Sequence, residues 1–203
     1  MALIYDAQLT PTKSELLFDW LPRQPWCPDR DGFTLLGSFR FDDPADDVGI
    51  ETHLVGAASG NVYQVPLTYR GAPLADGDAA LITQMQHSVL GERWVYDATA
   101  DPVYAEALVA AIALGEEQAE VFVDGEAIPQ PPSVQVRGTG ELDLAPGVVL
   151  LASETDGLVT KLHVTGANVL VARVVGEITS AQLRLDAVAG VPGAPRTLAE
   201  LAQ

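Results

Sequence analysis

The chain has 203 residues and a formal net charge of −17, from 28 acidic and 11 basic side chains. This balance repels phosphate backbones and anionic lipid, so nucleic-acid and membrane partners are not expected. Hydrophobic residues make up 48% of the chain and charged residues 19%, a composition that excludes a disordered protein and favours a globular one with a sizeable core.

The first segments predict a short strand and a helix. Residues 2–6 are a candidate edge strand. Thr12 or Ser14 is a candidate N-cap, and Glu15 in the first turn supports a helix that continues to Trp20.

From Gly32 onwards the pattern alternates with a period of two, which is typical of strands. Three antiparallel strands are predicted at FTLLGSFRF, ETHLVGAAS and VYQVPLTYR. Gly60 and Asn61 form a tight-turn pair, so we expect a hairpin between the last two. Pro66 lacks a backbone donor, and it predicts a bulge or an edge position in the third strand.

Two further strands and the best-marked helix follow. The strands are predicted at ALITQMQHSV and ERWVYDAT. Asp101 is a natural N-cap, Pro102 suits the first helical position, and Gly115 is a suitable C-terminal stop.

Beyond Gly115 the composition changes to short strands that alternate with Gly and Pro. Six strands are predicted at AEVFVDG, VQVRGTG, VVLLASE, LVTKLHVTG, NVLVARVV and AQLRLDAV. IPQPPS is a stiff connector and the best candidate for an internal boundary. The tail is predicted to form a short helix after Thr197 or to fray. We therefore divide the chain into a domain at 1–115 and a β-rich segment at 116–203.

None of the usual catalytic or metal-binding patterns is convincing. The three histidines, His53, His87 and His163, have no partners at ligand spacing, so we expect no metal site and no cofactor. The acidic loop DDPADDVGIE lacks EF-hand spacing and is interpreted as a solvated hairpin tip. The GTG at 138–140 opens no helix and is not a dinucleotide fingerprint. Adjacent residues on a strand point to opposite faces, so His87 and Ser88 cannot act directly as a base and its nucleophile.

Aromatic residues are concentrated in the middle of the chain. They favour a core with its rim over a sugar-binding platform, because Trp94 and Tyr96 share one strand face and Tyr104 lies on the helix predicted to cover it. The set comprises Tyr63, Tyr69, Trp94, Tyr96 and Tyr104.

Two segments resemble the maltokinase N-terminal cap domain, found in actinobacterial maltokinases and related aminosugar kinases. LLFDWLPRQPWCPD resembles the W-L-x-x-Q-R-W-F-x-G-K opening of that family, although the Arg, the second aromatic and the final Gly-Lys are not matched. YQVPLTYR with HSVLGERWVYDATADPV resembles the strand and the V-Y-D-A-x-x-D-P box that end the cap. The family-motif residues, which we expect to be mostly structural, are Trp20, Gln24, Trp26, Tyr63, Gln64, His87, Trp94, Tyr96, Asp97, Asp101 and Pro102.

The resemblance implies an antiparallel sheet packed on one or two helices, similar to a cystatin-like fold. In the full kinases the cap precedes a two-lobed phosphotransferase that makes maltose 1-phosphate from ATP and maltose. This sequence has no H-G-D-L-H-x-x-N catalytic loop and no metal-binding motif after one. The segment from Ser153 to Val175 is a candidate remnant of the kinase N-lobe, in which Glu154 and Thr155 sit near its turn and Arg173 near its nucleotide-contacting lysine.

We therefore expect an α+β protein that is mainly antiparallel sheet, cytoplasmic by its single cysteine, Cys27, and by the lack of a signal peptide or an apolar span. The expected function is non-catalytic: binding or regulation in sugar or glycogen metabolism, with a kinase, a glycogen enzyme or a second copy as partner. Two alternatives remain open, the nucleotide-binding part of a split sugar kinase and a homo-oligomeric structural protein.

Overall fold

The structure is a computed structural model that describes residues 2–4, 7–123, 128–143, 145, 147–179 and 182–202. Two α-helices lie in these residues, α1 at Lys13–Trp20 and α2 at Pro102–Leu114. The strands are β1 Ala2–Ile4, β2 Leu9–Thr10, β3 Thr34–Phe41, β4 Val48–Gly56, β5 Val62–Arg70, β6 Leu81–His87, β7 Gly91–Asp97, β8 Val121–Val123, β9 Gln135–Gly138, β10 Leu150–Asp156, β11 Val159–Val164, β12 Ala167–Ala172, β13 Arg184–Ala189 and β14 Arg196–Ala202.

Both helices begin where the sequence predicts. Thr12 caps α1 in a capping box, in which its hydroxyl accepts from the Glu15 amide and the Glu15 carboxylate accepts from the Thr12 amide. Asp101 caps α2 by accepting from the Val103 amide, Pro102 is the first helical residue, and Gly115 ends the helix in a left-handed conformation.

Six strands form the N-terminal sheet in the order β2-β6-β7-β5-β4-β3, and every pairing in it is antiparallel. The predicted hairpin at Gly60 is confirmed: Gly60 has φ +94° and its amide donates to the Ala57 carbonyl. The strand before it begins at Val48, earlier than predicted.

The prediction for Pro66 is wrong, because Pro66 lies in regular register opposite Thr52 with β5 inside the sheet. β4 pairs with one side of β5, and two partners share the other side. Residues 173–175 bond to Val62 and Gln64, whereas β7 pairs only from Leu67 onwards. Alternate residues of a strand present their backbone groups to the same side, so the missing donor of Pro66 falls where the partner changes.

The C-terminal sheet has the order β10-β11-β12-β14-β13-β9 and is also antiparallel throughout. Its last strand corrects the prediction for the tail: Arg196–Ala202 is a strand between β12 and β13, not a helix or a frayed end. Local helix propensity is overridden here because Leu198 and Ala199 are fully buried in the core.

Helix α2 packs between the two sheets. Its apolar residues share one core with Phe39, Ile50 and Leu54 of the N-terminal sheet and with Leu162 and Val171 of the C-terminal sheet. The opposite face of the N-terminal sheet packs on α1 in a separate core that contains Leu17, Trp26, Tyr63, Val65 and Val95. We call these the α2 face and the α1 face of the N-terminal sheet.

The GTG segment at 138–140 has a structural role at the end of α2. The Gly140 amide donates to the Ile112 carbonyl at 2.8 Å, which satisfies one of the helix's last carbonyl groups. A Cβ on Gly140 would lie 2.1 Å from the Ala113 carbonyl oxygen, and one on Gly138 would lie 1.9 Å from that of Ala111. Only glycine allows the backbone to approach the helix this closely.

The observed architecture confirms an α+β fold dominated by antiparallel sheet. The boundary after residue 115 stays a prediction. Several contacts cross it: β1 pairs in parallel with β8, and the Gln64 amide donates to the Arg173 carbonyl. Within the described residues, none of the helices is both long and apolar enough to cross a membrane.

Candidate functional site

A concave site lies on the α1 face of the N-terminal sheet. Helix α1 and the segment after it cover one half of this face, and the other half lines a cavity of about 430 Å³, a volume typical of small-molecule sites. Its polar lining includes Lys13, Arg40, Glu51, Tyr69, His87, Arg93 and the acidic residues of the β3–β4 loop.

Buried ionic groups form the inner part of this site. Lys13 Nζ lies 2.6 Å from Glu51 Oε2, and the Ser38 hydroxyl donates to Glu51 Oε1 at 2.9 Å. His53 Nε2 lies 3.1 Å from the Tyr69 hydroxyl and 3.9 Å from Glu51 Oε2. Strand register places these groups together, because Glu51 and His53 are two residues apart on β4 and Gly49, next on that face, pairs with Tyr69 on β5.

The charges of this group follow from burial and from neighbouring cations. Burial alone would raise the pKa of Glu51, but His53, Lys13 and Arg40 outweigh it and hold the pKa of Glu51 well below its usual range. Burial lowers the pKa of His53 to about 4, despite the opposing effect of Glu51. His53 is therefore neutral at pH 7, and Lys13 and Arg40 stabilise the Glu51 carboxylate there. Burial, with Glu51 nearby, raises the pKa of Tyr69, so its phenol stays protonated.

The first family motif forms an aromatic cluster under α1. The Trp20 and Trp26 rings meet edge to face at 5.7 Å between centroids, and Trp26 lies 6.1 Å from Tyr63. The Gln24 side chain donates to the Trp20 carbonyl at 3.2 Å. The Tyr63 hydroxyl donates to the Asp29 carboxylate. These contacts join the motif to β5 as a packed core.

Arg173 connects this cluster to the second family motif. Its side chain is buried, with Nη2 at 2.7 Å from Asp97 Oδ2 and 2.8 Å from the Thr99 hydroxyl, and Nε at 2.6 Å from the Thr160 hydroxyl. The guanidinium lies 5.0 Å from the Trp26 ring centroid, within cation–π range. Because the Arg173 side chain is buried and makes these contacts, it is not exposed to a nucleotide. This disfavours the nucleotide contact suggested for position 173.

The remaining motif residues of β5, β7 and α2 lie on the α2 face. The Gln64 side-chain amide donates to the Leu198 carbonyl at 3.3 Å, and the Tyr96 hydroxyl accepts from the Leu74 amide at 2.9 Å. The Asp101 carboxylate accepts two bonds from Arg70, at 2.6 and 2.7 Å, in addition to capping α2. Trp94, opposite Arg70, shares this face. The structure therefore separates the predicted aromatic group between two faces of one sheet.

His87 and the acidic loop occupy the rim of the cavity. His87 Nδ1 accepts from the amides of Val89 and Leu90, so His87 closes the β6–β7 turn. The pKa of His87 is lowered by partial burial and by Arg93 and Lys13. The Asp43 carboxylate accepts from three amides of its own loop. Among the residues that the structure describes, no group of three or more His, Cys, Asp or Glu side chains is placed to hold a metal ion.

Residues 20–101 match the family model of the maltokinase N-terminal cap domain. This part of the chain is therefore similar to a maltokinase N-terminal cap domain, and by this similarity we refer to it as the cap domain. The matched residues include strands β3 to β7 of the N-terminal sheet and end at Asp101, the N-cap residue of α2. No curated protein sequence matches the chain.

The motif residues and the residues that line the cavity are largely different sets, although most of the lining lies within the matched residues 20–101. Most of the predicted motif residues pack in the cores of the cap domain or bond to residues beside them, and His87 alone among them lines the cavity. Sequence reasoning did not select Lys13, Arg40, Glu51 or Arg93. A signal was present, since Arg40, Glu51 and His53 put polar side chains on a strand face that would be apolar if it were wholly buried.

Proposed function

We propose that the protein is a non-catalytic accessory of sugar or glycogen metabolism that acts by binding through its cap domain. Its partner is an enzyme of that metabolism, such as a kinase or a glycogen enzyme, or a second copy. The observation that carries this proposal is the cavity on the α1 face, which has the size and mixed lining of a small-ligand site.

The state of the ionisable groups favours binding over catalysis. Glu51 is held by Lys13 and Ser38, and His53 is neutral and bonded to Tyr69. A general base needs a pKa near the working pH and a free path to its substrate. The pKa values of Glu51 and His53 lie below that range, and the pKa of Tyr69 lies above it. These groups therefore shape and charge the site.

The direct test is an assay of phosphate transfer. Purified protein with ATP–Mg²⁺ and maltose is expected to release no ADP above background, and transfer at ordinary kinase rates of roughly 1–100 s⁻¹ would overturn the proposal. Thermal unfolding with ligand at 100 times its Kd should show stabilisation by about 2.7 kcal/mol for anything that binds the folded state. Stabilisation by ATP–Mg²⁺ that inorganic phosphate does not reproduce would favour the split-kinase alternative.

A further inference from the structure

The basic side chains of the cavity lie near Tyr69 and the backbone beside it. Lys13 Nζ lies 6.0 Å from the Tyr69 ring centroid. A Cβ on Gly49, which pairs with Tyr69, would lie 3.4 Å from Arg40 Nη2, and one on Gly71 would lie 3.0 Å from Arg93 Nη1. Both guanidinium groups therefore lie over residues that have no side chain. Three basic residues line this cavity together with five acidic ones, of which Glu51 is buried and the other four belong to the β3–β4 loop.

Two of these cations, Arg40 and Arg93, form no ion pair with an acidic side chain among the described residues. Among the residues that the structure describes, Arg40 makes no side-chain hydrogen bond or ion pair, although it is half-buried. The side chain of Arg93, also half-buried, donates to the Glu92 carbonyl at 3.2 Å. A partly desolvated guanidinium without a counter-ion is unfavourable, and its planar donors fit a carboxylate or a phosphate in a two-point contact.

The charge of Glu51 acts on Arg40, but no described carboxylate bonds to either guanidinium group. Glu51 is engaged by Lys13 and Ser38, and Asp43 by the amides of its own loop. Asp46 and Asp47 are exposed at the rim, where solvent and salt screen them. An acidic rim around a basic floor repels an extended polyanion, such as a nucleic acid, and admits a small anion.

We propose that the cavity on the α1 face is an anion site, in which Arg40 and Arg93 bind the phosphate or carboxylate group of a small ligand beside the Tyr69 ring. This inference deepens the proposed function, since it names the ligand chemistry of the same site.

The test is calorimetric titration of the full chain with inorganic phosphate, succinate and maltose at constant ionic strength. The variants are Arg40→Gln and Arg93→Gln, and the matched control is Arg137→Gln, which removes an exposed arginine from the C-terminal sheet. We expect saturable binding of at least one anion by the wild type and by Arg137→Gln. Arg40→Gln should weaken it at least tenfold, which corresponds to about 1.4 kcal/mol. Arg93→Gln is the second test should Arg40→Gln fail to fold.

Each outcome decides the question. Binding of phosphate alone identifies a phosphoryl ligand, and binding of succinate alone identifies a carboxylate. Saturable binding of neither anion by the wild type, or unchanged affinity in Arg40→Gln and Arg93→Gln, overturns the anion site. A response to maltose but to neither anion overturns this inference and leaves the proposed function standing. ADP release in the transfer assay overturns the proposed function independently of these titrations.

Discussion

The two six-stranded sheets pack on the same helix but differ on the faces that point away from it. The N-terminal sheet buries half of its α1 face and keeps ionisable groups there, with Glu51 only 3% exposed and His53 only 1%. The outer face of the C-terminal sheet carries the same residue types in solvent. There His163 Nε2 lies 2.9 Å from Glu154 Oε1, and the Glu154 side chain is 62% exposed.

The comparison shows that the contribution of a charged side chain to stability depends on its burial and not on its residue type. Exposed pairs gain little because water and salt screen them, whereas a buried charge depends on each of its partners. The polar groups of the cap domain therefore define a site and a linkage between sheets. Those of the C-terminal sheet cover a solvated face.

The largest expected effect is at Arg173, which joins the sheets. Replacing Arg173 by Leu removes the cation that faces Asp97 and leaves the hydroxyls of Thr99 and Thr160 without its bonds. We expect a loss of about 3–5 kcal/mol in the free energy of unfolding, measured in urea. Lys161→Gln, which breaks the exposed Lys161–Glu154 pair of the C-terminal sheet, should cost no more than about 1 kcal/mol. Equal effects of the two variants would contradict the comparison.

The next effect concerns the close approach of α2 to the C-terminal sheet. Gly140→Ala places a methyl group 2.1 Å from the Ala113 carbonyl oxygen, so backbone must move. Overpacking of this kind costs about 1–3 kcal/mol, which thermal unfolding can detect. Gly147→Ala is the control, because a Cβ there meets nothing within 4 Å. If Gly140→Ala unfolds at the same thermal midpoint as the wild type, the end of α2 can shift without cost, which contradicts this prediction.

A pH profile distinguishes the buried histidine from the exposed one. Between pH 6.5 and about 4 the unfolded chain binds a proton at His53 that the folded chain does not, so the free energy of unfolding falls as the pH falls through this window. His53→Asn should flatten that part of the profile, and His163→Asn should leave it as in the wild type. Urea titrations at intervals of half a pH unit would measure this. A profile unchanged by His53→Asn would argue against a buried neutral His53.

The smallest expected effect is at Glu154. Its carboxylate contacts His163 and Lys161 in solvent, where such pairs contribute little. Glu154→Gln should leave the thermal midpoint unchanged at physiological salt. A clear drop in the midpoint would mean that the outer face of the C-terminal sheet is more than a solvated surface.

Elements with local signals could be predicted from the sequence. The Thr12–Glu15 capping box, the Asp101–Pro102 start of α2 and the turn at Gly60 depend on neighbours in the chain, and the structure confirms all three. The strand at Arg196–Ala202 could not be predicted this way. It forms by pairing with β12 and β13, and a local sequence pattern does not show that pairing.

The cavity is the part of the site that sequence reasoning missed. Its basic residues come from α1, β3 and β7: strand register brings Arg40 and Arg93 to one face, and the packing of α1 on that face adds Lys13. Motif matching selected residues that share a local pattern, and these are the packing residues of the cap domain. A ligand site assembled across strands leaves no such pattern in a single sequence.

The central claim is that the cap domain, not the C-terminal sheet, carries the binding site. The most direct measurement is an amide chemical-shift titration of isotopically labelled protein with inorganic phosphate. We predict that the shifted amides cluster around Arg40, Gly49, Tyr69, Gly71 and Arg93. Shifts concentrated on the outer face of the C-terminal sheet, near residues 137, 161 and 184, or no saturable shifts at all, would contradict the account.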